Sequence, residues 1–249
     1  MVMKKIFSAV IGLFLILSSQ VNSAEKLSIE KQLVGIVGAI SGTVKTETRE
    51  LKAGDKIYLN ETIYAAPGSG TQILLLDQST FTVGEDSEVV MDTFIYDPKT
   101  NDGKIVASVK QGSLKVISGL ISQKDPDALT VTVPEGTLGS RGTEFQTIVS
   151  KGKTDTLLIG PGKNNTLGMR PGAVLASNKF GKTLLDNPYS VTSMSKGKAP
   201  DKARKITRSQ LKKFNKKMRA LSKSKGDKGE KKIARKAARK ELKLSLIHI

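Results

Sequence analysis

Residues 61–92, "ETIYAAPGSGTQILLLDQSTFTVGEDSEVVMD", decide how the chain is read. Three turn signals, PGSG at 67–70, DQS at 77–79 and GEDS at 84–87, divide it into short apolar or alternating runs. Apolar residues at every second position put one face of an extended chain toward a core, and no 3.6-residue period competes with that pattern. Gly68 to Gly70 and Gly84 supply backbone freedom at the bends, as does Gly54 beside Asp55 upstream. The stretch therefore predicts consecutive antiparallel strands.

The same texture extends outward in both directions. "GTVKT" (42–46) and "ELKAGDKIYLN" (50–60) precede it. After it come "GKIVASVKQGSLKVISG" (103–119), "ALTVTVPEG" (128–136), "TEFQTIVSKGKTDTLLIG" (143–160) and "GAVLASNKFGKTLL" (172–185). Pro98, with Asp102 and Gly103 after it, marks a longer exposed loop. Residues 33–191 thus form an all-β domain of many short strands, arranged as a sandwich or as a solenoid-like stack.

Both ends differ from this middle. Residues 1–24 carry Lys4 and Lys5, an apolar run from Ile6 to Leu17 and then small polar residues. That is the plan of a secretory signal peptide cleaved after Ser23 or Ala24, since the run is short of the ~20 residues needed to span a bilayer. The mature chain is expected to be periplasmic or secreted. Residues 192–208 read as a flexible linker, with "SKGKAPDKARK" at 195–205. Residues 209–249 read as a basic tail, helical or disordered. In "SQLKKFNKKMRAL" (209–221), Leu211, Phe214, Met218 and Leu221 recur at helical steps, with Lys212, Lys213, Lys216, Lys217 and Arg219 around them. "KKIARKAARKELKLSL" (231–246) offers a second helical stretch.

The net charge is +18, and 21 of the 41 Lys and Arg residues lie from Lys196 onward against four acids. The excess therefore sits in the tail. Cysteine is absent and the single histidine, His248, is next to last, which removes disulfides, thiolate nucleophiles and most metal and acid–base sites. With no tryptophan and 4% aromatic residues, a stacking platform for sugars or bases is poorly supplied. No catalytic residue, cofactor or metal ligand is assigned.

Three motifs invite chemistry. In "PEGTLGSRGTEF" (134–145), Gly139 and Gly142 bracket Arg141, with Thr143 and Glu144 following. The guanidinium fork suits a ligand carboxylate or phosphate, but a lone arginine equally locks a turn by bonding to an acid or carbonyl of its own fold. We read these five residues as a fold corner, with contact to a ligand as the alternative. "ASNKFGKT" (176–183) has the end of a phosphate-binding loop but Ala176 at its first position and no helix pattern beyond, so it reads as a β-turn. Serine–lysine neighbours such as Ser195–Lys196 and Ser222–Lys223 lie in polar sequence without partner motifs.

Taken in order, these pieces resemble the FecR domain family of bacterial exported proteins, from about residue 37 to 149. The resemblance runs from a G-x-V strand ("GTV") through L-x-x-G-D ("LKAGD"), a D-x-S turn ("DQSTFTVG"), "YDP" and "GSLKVISG" to "GSRGTEF". Gly136 stands where the family usually has alanine, and Gln78 where D-G-S is common, so that turn is expected not to require glycine. The resemblance implies a non-enzymatic β domain for interaction and signal relay. In the iron-uptake regulators that name the family, it follows a cytoplasmic anti-sigma segment and a membrane helix; residues 1–24 read as a leader instead, so direct control of a sigma factor is not expected.

The leading expectation is an exported binding module that meets an unknown envelope protein or polymer, with envelope signalling as the role this would serve. Its basic tail would attach to an anionic membrane surface or wall polymer, the apolar stripe dipping in. An envelope glycan- or peptide-acting enzyme is the second reading, resting on acids such as Asp86, Glu88 and Glu144 near turns. The third is a polyanion or nucleic-acid binder through the tail, which export disfavours for nucleic acid.

Overall fold

The computed structural model describes residues 31–125, 127–163 and 171–223. The leader reading of residues 1–24 and the second helical stretch at 231–246 fall outside them. Strands β1 (Leu33–Ser41), β2 (Val44–Lys45), β3 (Lys56–Tyr58), β4 (Thr62–Ala65), β5 (Gly70–Leu75), β6 (Thr80–Val83) and β7 (Ser87–Tyr96) lead to the long β8 (Gly103–Ile117). A short helix, α1 (Leu120–Lys124), follows. Then come β9 (Leu129–Val133), β10 (Gly136–Arg141), β11 (Glu144–Ser150), β12 (Lys153–Gly160), β13 (Ala173–Asn178), β14 (Gly181–Leu185), β15 (Ser190–Ser195) and β16 (Arg204–Lys205). Helices α2 (Arg208–Lys217) and α3 (Arg219–Lys223) close the described chain.

The protein is all-β, as the period-two pattern predicts. Its strands form two hydrogen-bonded layers that meet in β8. One runs β3-β1-β5-β6-β8-β11-β12-β15-β16 and the other β2-β4-β7-β8-β9-β10-β13-β14. In both layers every strand before β8 lies on one side of it and every strand after it on the other. Residues 103–111 of β8 pair with β7, and residues 105–108 also pair in parallel with β9. Residues 112–117 pair instead with β11, and 114–117 with β6. The chain passes from one layer to the other at Gly112, whose φ is +85°. A Cβ there would lie 2.4 Å from the Asp86 carbonyl oxygen, so both conformation and space require glycine.

The layers share one core, to which β1, β5, β6 and β11 contribute Val37, Ile73, Phe81 and Phe145, and β7 and β8 contribute Met91 and Ile105. The alternation in β5, β6 and β9 follows from one face packing inward. Strands β11, β12 and β15 depart from it, being buried on both faces. The cover on their outer face is helix α2. Phe214 is 2% exposed and packs on Ile148, Leu157 and Val191, with Ile206 and Leu211 beside it.

This corrects two expectations about the C-terminal region. The segment expected as a linker, 192–208, contains most of β15, paired with β12 from Lys153↔Ser195 to Leu157↔Val191, and all of β16. Serines and threonines there obscured a strand because they are buried and bonded: Thr192 Oγ1 donates to the Asp201 carbonyl and Ser193 Oγ to Asp155. The apolar stripe, expected to dip into a foreign surface, turns toward the protein's own sheet. Leu211, Met218 and Leu221 are half-buried, and the Leu221 side chain approaches Gly70.

Candidate functional site

The corner that opened two readings of Arg141 takes the chain from β10 in one layer to β11 in the other. Gly142 (φ +55°) and Thr143 make the bend. Thr143 is buried and fixed on three sides. Its Oγ1 donates to the Gly160 carbonyl at 2.9 Å, its N–H donates to Ser118 Oγ at 3.2 Å, and its carbonyl accepts from both the backbone and the hydroxyl of Ser118. Buried polar atoms cost least when so matched, which makes this threonine the pin of the corner.

Arg141 and Glu144 point away from that pin. Arg141 Nε and a terminal nitrogen donate to the two oxygens of Asp127 at 2.8 and 3.3 Å, with both side chains at least half exposed. Such a pair contributes about 0–1 kcal/mol, so it orients the guanidinium without committing it. Glu144 pairs with Lys115 of β8. Gly139 lies on β10 opposite Leu175 and Thr130, away from the bend, with open space where a Cβ would stand.

A cleft of about 720 Å³ opens at this corner, where the end of β8 meets α1 and the β10–β11 bend. Arg141, Gly142, Thr143 and Glu144 line it. Its apolar wall is Ile117, Leu120, Pro161 and Pro171, and Ile117 is 40% exposed. Lys124 stands at the rim, held by Asp102 at 2.7 Å and the Thr100 carbonyl at 2.9 Å. Ser122, also in the lining, is 1% exposed, and its Oγ finds no hydrogen-bond partner among the described residues. The cleft thus offers one apolar wall and charges of both signs.

Behind it lies a polar knot that sequence reading missed. Asp77 is fully buried and accepts from Ser79 N at 3.0 Å and Ser79 Oγ at 2.7 Å, while the Gly119 N–H donates to that same Oγ at 2.8 Å. A Cβ on Gly119 would lie 2.3 Å from both the Asp77 carbonyl oxygen and Ser79 N. Burial pushes the Asp77 carboxyl above its ordinary range, although bonds from Ser79 and Ile121 oppose the shift. The knot ties the β5–β6 turn to the start of α1, and so sets the cleft wall at Leu120. The turn holds Gln78 at φ +68°, which corrects the expectation that Gln78 signals a turn without a glycine-type conformation. In the GEDS turn the positive φ likewise falls on Asp86 (+55°) and not on Gly84.

The acids singled out for hydrolysis do not converge on a cleft. Asp86 pairs with Lys217, Glu88 with Lys110 and Glu144 with Lys115. The corner cleft has Glu144 as its single carboxylate, and a second cleft, along the β9–β10 turn, has Glu135. Lys179 and Phe180 form the two-residue link between β13 and β14, so "NKFGKT" is a hairpin turn. Among the described residues no group of three His, Asp or Glu side chains gathers as metal ligands do, and no helix is long and apolar enough to cross a membrane.

The tail cations divide into two sets. Lys213 reaches Asp155 at 3.2 Å, and Lys217 reaches Asp86 at 3.0 Å and Glu85 at 3.3 Å. Gln146 adds a bond to the Phe214 carbonyl at 2.9 Å. Asp155 accepts further from Ser193 and Lys153; burial works against its ionisation, but these hydrogen bonds and cations outweigh it and hold its carboxyl below the ordinary range. Lys212, Lys216 and Arg219 are exposed.

Residues 61–159 match the FecR protein family. The matched residues run from β4 to β12 and include β8 and the cleft corner, whereas the sequence resemblance began earlier, near residue 37. Among solved structures the chain is similar to two crystal structures, at 1.65 and 2.50 Å, of a candidate anti-sigma factor from Parabacteroides distasonis ATCC 8503. Identity is 8% in both, with TM-scores of 0.45 and 0.43 and 61% of this chain covered. The match spans 62% of those chains' length. No curated protein sequence matches the chain.

Proposed function

We propose that this protein is a non-enzymatic recognition module of the bacterial envelope, in which the corner cleft of the FecR-type domain receives a segment of a partner protein. The observation that carries the reading is the cleft's composition: an apolar wall of Ile117, Leu120 and Pro161 flanked by Arg141, Lys124 and Glu144. Such a surface suits a short peptide that places one apolar side chain in the groove and charges at its sides. The leader-like sequence at 1–24 supports export, and the FecR match supports a signalling role.

A photo-crosslinking residue at Ile117, compared with one at Leu184 on the edge strand β14, tests this in intact cells. A defined adduct from position 117, absent from 184 and lost on Arg141→Glu, is expected. Equal labelling from both positions would remove the cleft from the proposal.

The basic C-terminal region supports a second element, attachment to an anionic surface. A chain ending at Val191 would lack most of β15 and bare the edge of β12, so the informative truncation ends at Lys223. It should sediment less with envelopes at low salt than the full chain does.

A further inference from the structure

Helix α2 carries its cations in two rows with different fates. Lys213 and Lys217, four residues apart, face the sheet and are consumed by Asp155, Glu85 and Asp86. Arg208, Lys212 and Lys216, also at four-residue steps, lie about a third of a turn around the helix from that row, opposite Phe214; they are exposed and have no acidic partner among the described residues. At 1.5 Å rise per residue they stand about 6 Å apart along one line about 12 Å long.

This row has an energetic cost. Like charges at i, i+4 destabilise a helix by about 0.2–0.5 kcal/mol per pair, and Arg208 places a cation at the helix N-terminus, where the dipole disfavours it. The first turn holds no acid to offset it. The docking of α2 does not need the row, because Phe214, Gln146 and the other two lysines hold the helix.

We propose that Arg208, Lys212 and Lys216 form a binding ridge for a linear polyanion bearing closely spaced phosphate groups. The proposal rests on the reading of the C-terminal region as an anion-binding element and moves it from an unstructured tail onto a folded helix. Two features argue against a bilayer and against stacked bases, and charge spacing along the row fits a linear chain of anionic groups. The apolar residues of α2, Phe214 and Leu211, are turned to the sheet, so nothing beside the row is placed to enter a bilayer. The same burial leaves α2 no aromatic ring on which a nucleic-acid base could stack.

The test uses the full chain with Arg208, Lys212 and Lys216 all changed to Gln. Its control of equal charge loss changes Lys196, Lys198 and Lys202 to Gln. Binding of inorganic polyphosphate of fixed length is followed across a salt series, with circular dichroism and thermal melting of all three proteins. The ridge variant should bind at least tenfold more weakly at low salt, with the slope of log K against log salt reduced by about 2, at about 0.7 per lost contact. The control should stay within threefold of wild type. Equal weakening of both variants would mean that net charge alone acts, and the ridge would fall. Loss of binding to phosphatidylglycerol vesicles with polyphosphate binding intact would overturn the polymer in favour of a membrane. A chain ended at Lys223 that keeps polyphosphate binding but leaves the envelope would uphold the ridge while refuting its role in attachment.

Discussion

Single residues here act mainly through backbone conformation and buried charge. Gln78 occupies the left-handed region at φ +68°, which costs a non-glycine residue roughly 1–2 kcal/mol, partly offset in Gly by backbone entropy. Gln78→Gly should therefore stabilise the fold by about 0.5 kcal/mol, whereas Gln78→Val should destabilise it by more than about 1 kcal/mol, both read from urea unfolding. The departure from the D-G-S pattern is legible in the sequence, but it points to a turn with no need of glycine, the opposite of the conformation found. The turn's own bonds hold it, the Gln78 N–H donating to the Leu75 carbonyl and Ser79 to Asp77, and Gly119, 40 positions beyond Ser79, closes the knot from outside. Arg141 was legible as a turn residue beside an acid, yet its partner, Asp127, comes from across the β9–β10 hairpin.

At the scale of elements, docking of α2 on the sheet depends on one apolar anchor and a few polar latches. Burying Phe214 contributes roughly 2–3 kcal/mol, more than the exposed ion pairs around it. Asp155 is the exception among the latches, because it is buried and its carboxyl is held low. A carboxylate whose folded pKa lies below the unfolded value of about 3.9 adds stability that is whole above that value and lost as pH falls through the folded one. Asp155→Asn should therefore lower the melting temperature at pH 7, and the gap to wild type should close as both are taken well below pH 3.9; a gap constant with pH would assign the effect to packing. Strand existence was legible wherever one face alone is buried, as in β5 and β6. It failed at β15, where "SVTSMS" reads as polar, because both faces are covered and its hydroxyls bond inside. The period of Leu211, Phe214 and Met218 announced a helix face correctly; what it would meet was set by the outer face of β11, β12 and β15. One hint was "LLI" (157–159) in β12, an unbroken apolar run where alternation would mark a solvent face; Leu158 enters the main core, while Leu157 and Ile159 meet Phe214 and its neighbours.

At the scale of the molecule, everything is arranged about β8. Gly112→Ala would place a Cβ against the Asp86 carbonyl oxygen at φ +85° and should cost about 3–4 kcal/mol, with strain and crowding adding. A clean loss of midpoint with an unchanged urea slope is expected; a second transition would show that the layers unfold apart. Topology at this level was invisible in the sequence, since nothing in "GKIVASVKQGSLKVISG" announces that one strand has two memberships. Its place has a further bearing on how the molecule moves. The strands before residue 103 and those after 117 meet in each layer only along this one ribbon of backbone, so it is flanked on both sides wherever the two halves are joined. Loosening at either outer edge can relax locally, but residues 105–108 and 114–117 have partner strands on both sides, so their amide protons should be among the last to trade with deuterium.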